Sequence, residues 1–242
     1  MIEPQPAPRV WPALLASVIG ISILVTLGFW QLERLQWKES LLALLAANAA
    51  AEPVDLREAE AIQAQGGDIE FLKVKFSGIY LHDDWKKMIS TFGGSQGWII
   101  ITPAVSVTGR PVLVDRGRVP VAMLESFDKP EGLQEIIGIA RSYTRGKGYF
   151  DPENDPGANL WYWWDVPAMF AASAVPEGLK PMPFVVQVLP GTTAAEFPAP
   201  QEPRTNLTNN HLGYAITWFG LALTLAGVAT AYLIEIRKRK PA

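Results

Sequence analysis

NNHLGYAITWFGLALTLAGVATAYLIEIRKRK, residues 209–240, decides the architecture. Between Arg204 and Glu235 the only ionisable side chains are His211, Tyr214 and Tyr232, and the run stops at Arg237, Lys238, Arg239 and Lys240. Such a stretch exceeds the roughly 20 apolar residues that cross a hydrocarbon core of about 30 Å at 1.5 Å per residue. It predicts a transmembrane helix over residues 210–234 and a basic tail over 235–242. No charge falls between Arg9 and Glu33 either, which predicts a first transmembrane helix over residues 10–32. Trp11 and Trp30 bracket that span, roughly 28 Å apart along a helix, as interfacial aromatic belts do. The leading MIEPQPAPR carries Glu3 as well as Arg9, and the apolar part outruns the roughly 7–15 residues of a signal-peptide core, so this segment reads as an uncleaved anchor.

Four cations directly after the second span mark the C-terminus as cytoplasmic, outweighing Arg34 and Lys38 beyond the first. Two crossings then return the N-terminus to the same side and leave residues 33–204 outside the cytoplasm. Residues 33–210 hold 16 Lys+Arg against 22 Asp+Glu, a net charge of −6 that disfavours a nucleic-acid partner. With no cysteine there is no disulfide and no thiolate metal site.

Residues 31–51 continue the first helix, with Gln31, Arg34 and Lys38 on one face, until Pro53 ends it. Asp55 caps a short helix over 56–64 that Gly66 and Gly67 stop. The hydrophobic period then changes to two. FLKVKFSGIYL (71–81) alternates as a half-buried strand; GWIIITPAV (97–105) and RPVLVDRGRVP (110–120) form a hairpin about Thr108-Gly109. Further strands are expected near 135–143 and 183–189, with a loop over 151–160 and a Pro-rich extended return spacer over 190–204. The fold class is therefore α+β: two transmembrane helices anchoring one mainly antiparallel, β-rich extracytoplasmic domain.

Candidate chemistry is sparse. His82 lies in LHDDW, read as a solvated turn; Met88, Met123 and Met169 lack paired spacing; no GxGxxG or GxxxxGK stretch occurs. Arg116 and Arg118 flank Gly117 as a solvated strand end. These absences speak against an enzyme. His211 differs, because with Tyr232 at the cytoplasmic boundary it lies about 31 Å away, at the outer one. His211, Tyr214 and Trp218 recur at i, i+3 and i+7, putting an imidazole and two aromatic rings on one stripe. A headgroup belt on a helix capped by Asn209 or Asn210 explains that stripe; so does a site for an apolar macrocycle with a metal centre. Arg34 and Lys38, at similar depth, read either as snorkelling anchors or as partners for ligand carboxylates. Gly213, Gly220 and Gly227, every seven residues, would let another helix approach.

Six blocks, in order, resemble a known family. LGFWQLERLQWKESL (27–41) is similar to the G-x-W-Q-x-x-R-x-x-W-K signature of the Surfeit-locus cytochrome oxidase assembly factors. EFLKVKFSGIY, GWIIITPAV, VLVDRGRVP, FDPENDPGANLWYWWDVPAM and NNHLGYAITWFGLAL resemble its later segments. Asp115, Arg118, Trp164 and Gly213 depart from the family pattern, where Asn, Trp, Arg and Gln are usual. The resemblance implies a non-enzymatic assembly factor for haem-copper cytochrome c oxidase, in the bacterial inner membrane with a periplasmic domain. It further implies transient haem a binding and delivery to the catalytic subunit, with the haem a synthesis machinery and membrane lipid as further partners. His211 would ligate haem iron beside Trp218; Tyr214 and Arg34 complete the candidate haem-binding set. The alternative is a haem-free scaffold that holds an oxidase assembly intermediate through the extracytoplasmic domain.

Overall fold

The computed structural model describes residues 10–143, 146–202 and 209–239, which divide into a helix pair and a β-rich domain. The helix pair comprises α1 (Trp11–Ala50), through Ala43, and the last helix, α4 (His211–Arg239). Both are long and apolar enough to cross a membrane. Val18, Ile19 and Ile23 of α1 and Ile216, Leu223 and Val228 of α4 are all more than half exposed. Helices apolar all round suit a lipid surround rather than water.

One stripe on each helix is covered. On α1 it runs through Leu14, Ser17, Ile21, Leu24, Gly28 and Gln31; on α4 through His211, Ala215, Trp218, Ala222 and Leu225. Steps of three and four residues keep each stripe on one side, as in coiled-coil seams. Phe219 meets Phe29 edge-on at 5.4 Å, and a methyl added at Gly28 would fall 2.6 Å from the Phe219 ring. Gly28 thus makes room for that aromatic ring. The glycines expected to admit a helix are not the ones that do: Gly213, Gly220 and Gly227 have nothing within 4 Å and point away from α1. Their seven-residue spacing falls outside the seam, whose small residues are Ala215 and Ala222 of α4 and Gly28 of α1.

In the domain, α2 (Leu56–Ala64) is capped by Asp55, whose Oδ1 accepts the N–H groups of Arg57 and Glu58. Arg110 donates a two-pronged pair of hydrogen bonds, both 2.7 Å, to Glu60 and ties α2 to the sheet. These bonds hold the Glu60 carboxyl below its ordinary range. Seven strands follow: β1 (Lys73–Tyr80), β2 (Lys86–Phe92), β3 (Ser95–Ser106), β4 (Pro111–Pro120), β5 (Leu133–Arg141), β6 (Leu160–Trp161) and, after α3 (Val166–Ala171), β7 (Val185–Val188). Their order is β1-β5-β7-β4-β3-β2-β6, and β1 also pairs with β3, so β1, β5, β7, β4 and β3 close into a ring. All pairings are antiparallel except β4–β7 and β2–β6.

Alternation along β4 separates two cores. Val112 and Val114 face Phe76, Ile136 and Phe184 beneath α2, whereas Leu113 faces Met88, Trp161 and Met169. Buried on both faces, the first part of this strand, residues 111–114, reads as an unbroken apolar run. Three expectations need correcting. β2, β6 and α3 went unread, and β6 opens just where the predicted 151–160 loop closes. The Pro-rich stretch is docked rather than extended: Ala199 exchanges hydrogen bonds with Arg118 at 2.8 and 2.9 Å, and Phe197 accepts from Asp128. Residues 203–204 of that spacer and 240–242 of the basic tail lie outside the described residues. His82 is half-buried, donating Nε2–H to the Pro130 carbonyl at 2.8 Å; burial pushes its pKa below the usual histidine value.

Candidate functional site

α4 begins at His211, where the Asn209 side chain accepts the His211 backbone N–H at 3.5 Å. The imidazole is half-buried, and its Nδ1 lies 2.7 Å from Oε1 of Gln31, itself 9% exposed. A carbonyl oxygen only accepts, so Nδ1 carries a proton, and in the neutral ring the lone pair is then on Nε2. A second group fixing the tautomer in this way is the usual arrangement behind a metal-ligating histidine. Gln31 is the residue that sequence reading placed on the Arg34 and Lys38 face without assigning it to the site. Its signal was there: an amide inside the last turns of an apolar span seeks a polar partner.

The other candidates separate. Trp218 lies on the covered stripe, half-buried, and its indole Nε1 is enclosed with no hydrogen-bond partner. Tyr214, 56% exposed, projects from the pair, so the three-residue stripe splits into an inward His211 and Trp218 and an outward tyrosine. Arg34 is exposed and its guanidinium lies 4.5 Å from the Trp37 ring centroid on its own helix.

Three of the four departures from the family pattern converge in the domain. Asp115, Arg118 and Trp164 line one cavity of about 240 Å³ with Arg141, Tyr143 and Gln187. Trp164 stacks on Tyr143 with centroids 4.1 Å apart. Arg141 donates to Glu70 at 2.5 Å and to Gln187 at 2.9 Å. The fourth, Gly213, is on the open side of α4. Asp115 is 7% exposed and takes one hydrogen bond, from the Gly117 N–H at 3.0 Å; burial pushes its carboxyl up to about 6. Because the folded value lies above the unfolded 3.8, stability from this group is complete below about pH 4 and lost as pH rises through 6. Asp115→Asn keeps the acceptor and removes the charge. It should raise the melting temperature clearly at pH 7, by up to roughly 3 kcal/mol of stability, and little at pH 4; equal shifts at both pH values would refute the argument.

The expected solvated strand end at Arg116 and Arg118 is also corrected. Arg116 is 5% exposed, and Arg118 donates to the Thr91 carbonyl at 3.1 Å.

Comparison with known proteins agrees with the motif resemblance. The sequence model of the SURF1 family matches residues 18–223, which include both Gln31 and His211. A SURF1-like protein of Monosiga brevicollis is 33% identical over 236 residues, covering 89% of this chain and 84% of the relative. A SURF1-like protein of Rickettsia felis is 28% identical, covering 90% of this chain and 95% of the relative, and Surfeit locus protein 1 of Homo sapiens is 29% identical, covering 92% and 75%. A match over most of the length, through both helices and every strand of the domain, makes this chain a member of the SURF1 family of cytochrome oxidase assembly factors.

Proposed function

We propose that this chain is a haem a carrier in the assembly of haem-copper cytochrome c oxidase, with His211 Nε2 as the protein's ligand to iron. The observation that carries the reading is the Gln31–His211 hydrogen bond, which occupies Nδ1 and leaves Nε2 as the ring atom available to a ligand at the end of an apolar helix pair. Among the described residues no three His, Cys, Asp or Glu side chains gather to hold a bare metal ion. A lone imidazole serves iron best when a macrocycle supplies the remaining ligands. Haem a is strongly apolar, and the lipid-facing surface of α1 and α4 suits such a cargo. With His211 as its one ligand from the protein, the haem would stay open to ligands from a receiving site, so handover to the oxidase catalytic subunit would need no nucleotide. Haem a synthesis would supply the cargo. The basic tail supports cytoplasmic termini, a periplasmic domain and a bacterial inner-membrane location.

The test is the absorption spectrum of detergent-purified protein from a host that makes haem a. Haem a bands at a fixed stoichiometry support the carrier reading; a colourless protein from such a host overturns it. A second reading, a haem-free scaffold gripping an oxidase intermediate, draws on Tyr149 and Phe150. They are 94% and 92% exposed and packed edge-on against each other, an aromatic pair with the character of an interface anchor. It expects a colourless protein whose Tyr149→Ser/Phe150→Ser variant fails to co-purify with the oxidase catalytic subunit.

A further inference from the structure

The register between β3 and β4 passes from Ile101–Asp115 to Ile100–Gly117 and leaves Arg116 opposite no residue. Such a bulge re-aims one side chain. Here it turns Arg116 inward, where the guanidinium lies 4.9 Å from the Tyr80 ring centroid and 5.8 Å from that of Phe127. The rings favour a cation, and the Tyr80 hydroxyl also engages the guanidinium as an acceptor, yet not every N–H is met. Nη1 is enclosed without a partner, and among the described residues no carboxylate forms an ion pair with Arg116. Asp128, exposed on the following loop, acts only at a distance. A guanidinium stays charged in proteins, and a buried unpaired charge is costly. The same side chain lines a cavity of about 160 Å³ with Tyr80, Gln134, Thr192, Thr193 and Pro198.

We infer that this cavity is a carboxylate site, in which Arg116 supplies the counter-charge and the Tyr80 and Thr193 hydroxyls supply further donors. The single positive charge calls for a single negative one, and the planar fork of arginine matches the two oxygens of a carboxylate. A phosphate dianion would remain half-neutralised. Thr192 is committed, donating to the Leu189 carbonyl at 2.7 Å, whereas Thr193 only accepts, from the Ala195 N–H, and keeps its own proton to give. Burial pushes the Tyr80 phenol up to about 12, so it stays a neutral donor at physiological pH. Glu135, at the rim, is engaged by Lys75 at 2.9 Å on the exposed side and does not serve as the missing anion. The site is independent of haem binding by the helix pair.

The experiment is a titration of the full-length protein in detergent with carboxyl-labelled acetate, followed by carbon NMR at constant ionic strength with chloride as the compensating salt. Saturable binding near about 1 mM is expected. It should weaken on the order of tenfold in Arg116→Lys, which keeps charge but loses the fork, and several-fold in Thr193→Val and Tyr80→Phe. Thr193 is exposed, so Thr193→Val keeps the test decisive should the Arg116 variant fail to fold. An N-acetylated tripeptide with a free C-terminal carboxylate, compared with its amide, distinguishes the sources. Binding of the acid alone points to a polypeptide carboxylate; binding of acetate but not of the tripeptide acid points to a small metabolite. Absence of saturable acetate binding, or binding unchanged in folded Arg116→Lys and Thr193→Val proteins, overturns the assignment.

Discussion

His211→Ala purified from cells that make haem a should carry no haem, while its melting temperature stays near that of the parent. The two outcomes separate ligation from folding, because the imidazole is only half-buried and its one side-chain hydrogen bond goes to Gln31. Gln31→Leu tests the same geometry from the other side. Removing the acceptor frees the ring to rotate and to exchange tautomers, and loss of such an outer partner typically weakens metal binding about 10- to 100-fold. Haem should therefore be retained at low occupancy and dissociate faster. Gln31→Glu should restore or tighten binding, since a carboxylate accepts from Nδ1–H more strongly. Tyr214→Phe, on the exposed face, should leave occupancy unchanged. Full haem content in His211→Ala would remove this residue as ligand.

Gly117→Ala should be the most damaging single change in the domain. Gly117 adopts φ +115°, a region that side chains avoid, and an added methyl would lie 2.3 Å from the Ala199 oxygen and 2.6 Å from the Pro200 nitrogen. Both obstacles are backbone, held by the Arg118–Ala199 hydrogen bonds, so neither yields by a rotamer change. Strain and displacement together should cost about 4 kcal/mol or more, a fall in melting temperature of roughly 10 °C in a domain of this size. Gly132→Ala is the control: φ is +73° but nothing lies within 4 Å, so only the dihedral penalty applies, about 1 kcal/mol. Comparable losses in the two variants would show that close approach of the return segment matters little.

Much of this architecture was legible because it follows local periodicity. The two spans, the Asp55 cap and the β3–β4 hairpin rest on spacing within one segment. The failures share a different cause. Strand β2 opens on two lysines, which give no signal of burial, yet Lys86 is 3% exposed, its ammonium held by the carbonyls of Asp84 and Ala172. The second carbonyl belongs to a segment 86 residues away in sequence, so no local pattern announces it. Arg116 was misassigned because a single bulge reverses which residues face inward, and nothing in VDRGRVP marks it except Gly117. At the candidate site, His211 was found from its position at the mouth of an apolar run, while Gln31 was not, because their bond spans 180 residues.

The ring of strands has a consequence for company. Assembly factors work beside half-built membrane subunits, whose unpaired backbone is prone to stitch onto any open sheet margin. Each of the five strands that close the ring has a neighbour on both sides, and the flank formed by β2 is partly sealed by β6 at Lys87 and Met88. Backbone pairing with a client would therefore be confined, among the described strands, to the flank of β2 beyond Met88 and to β6, leaving side chains and loops as the contacts open to the ring.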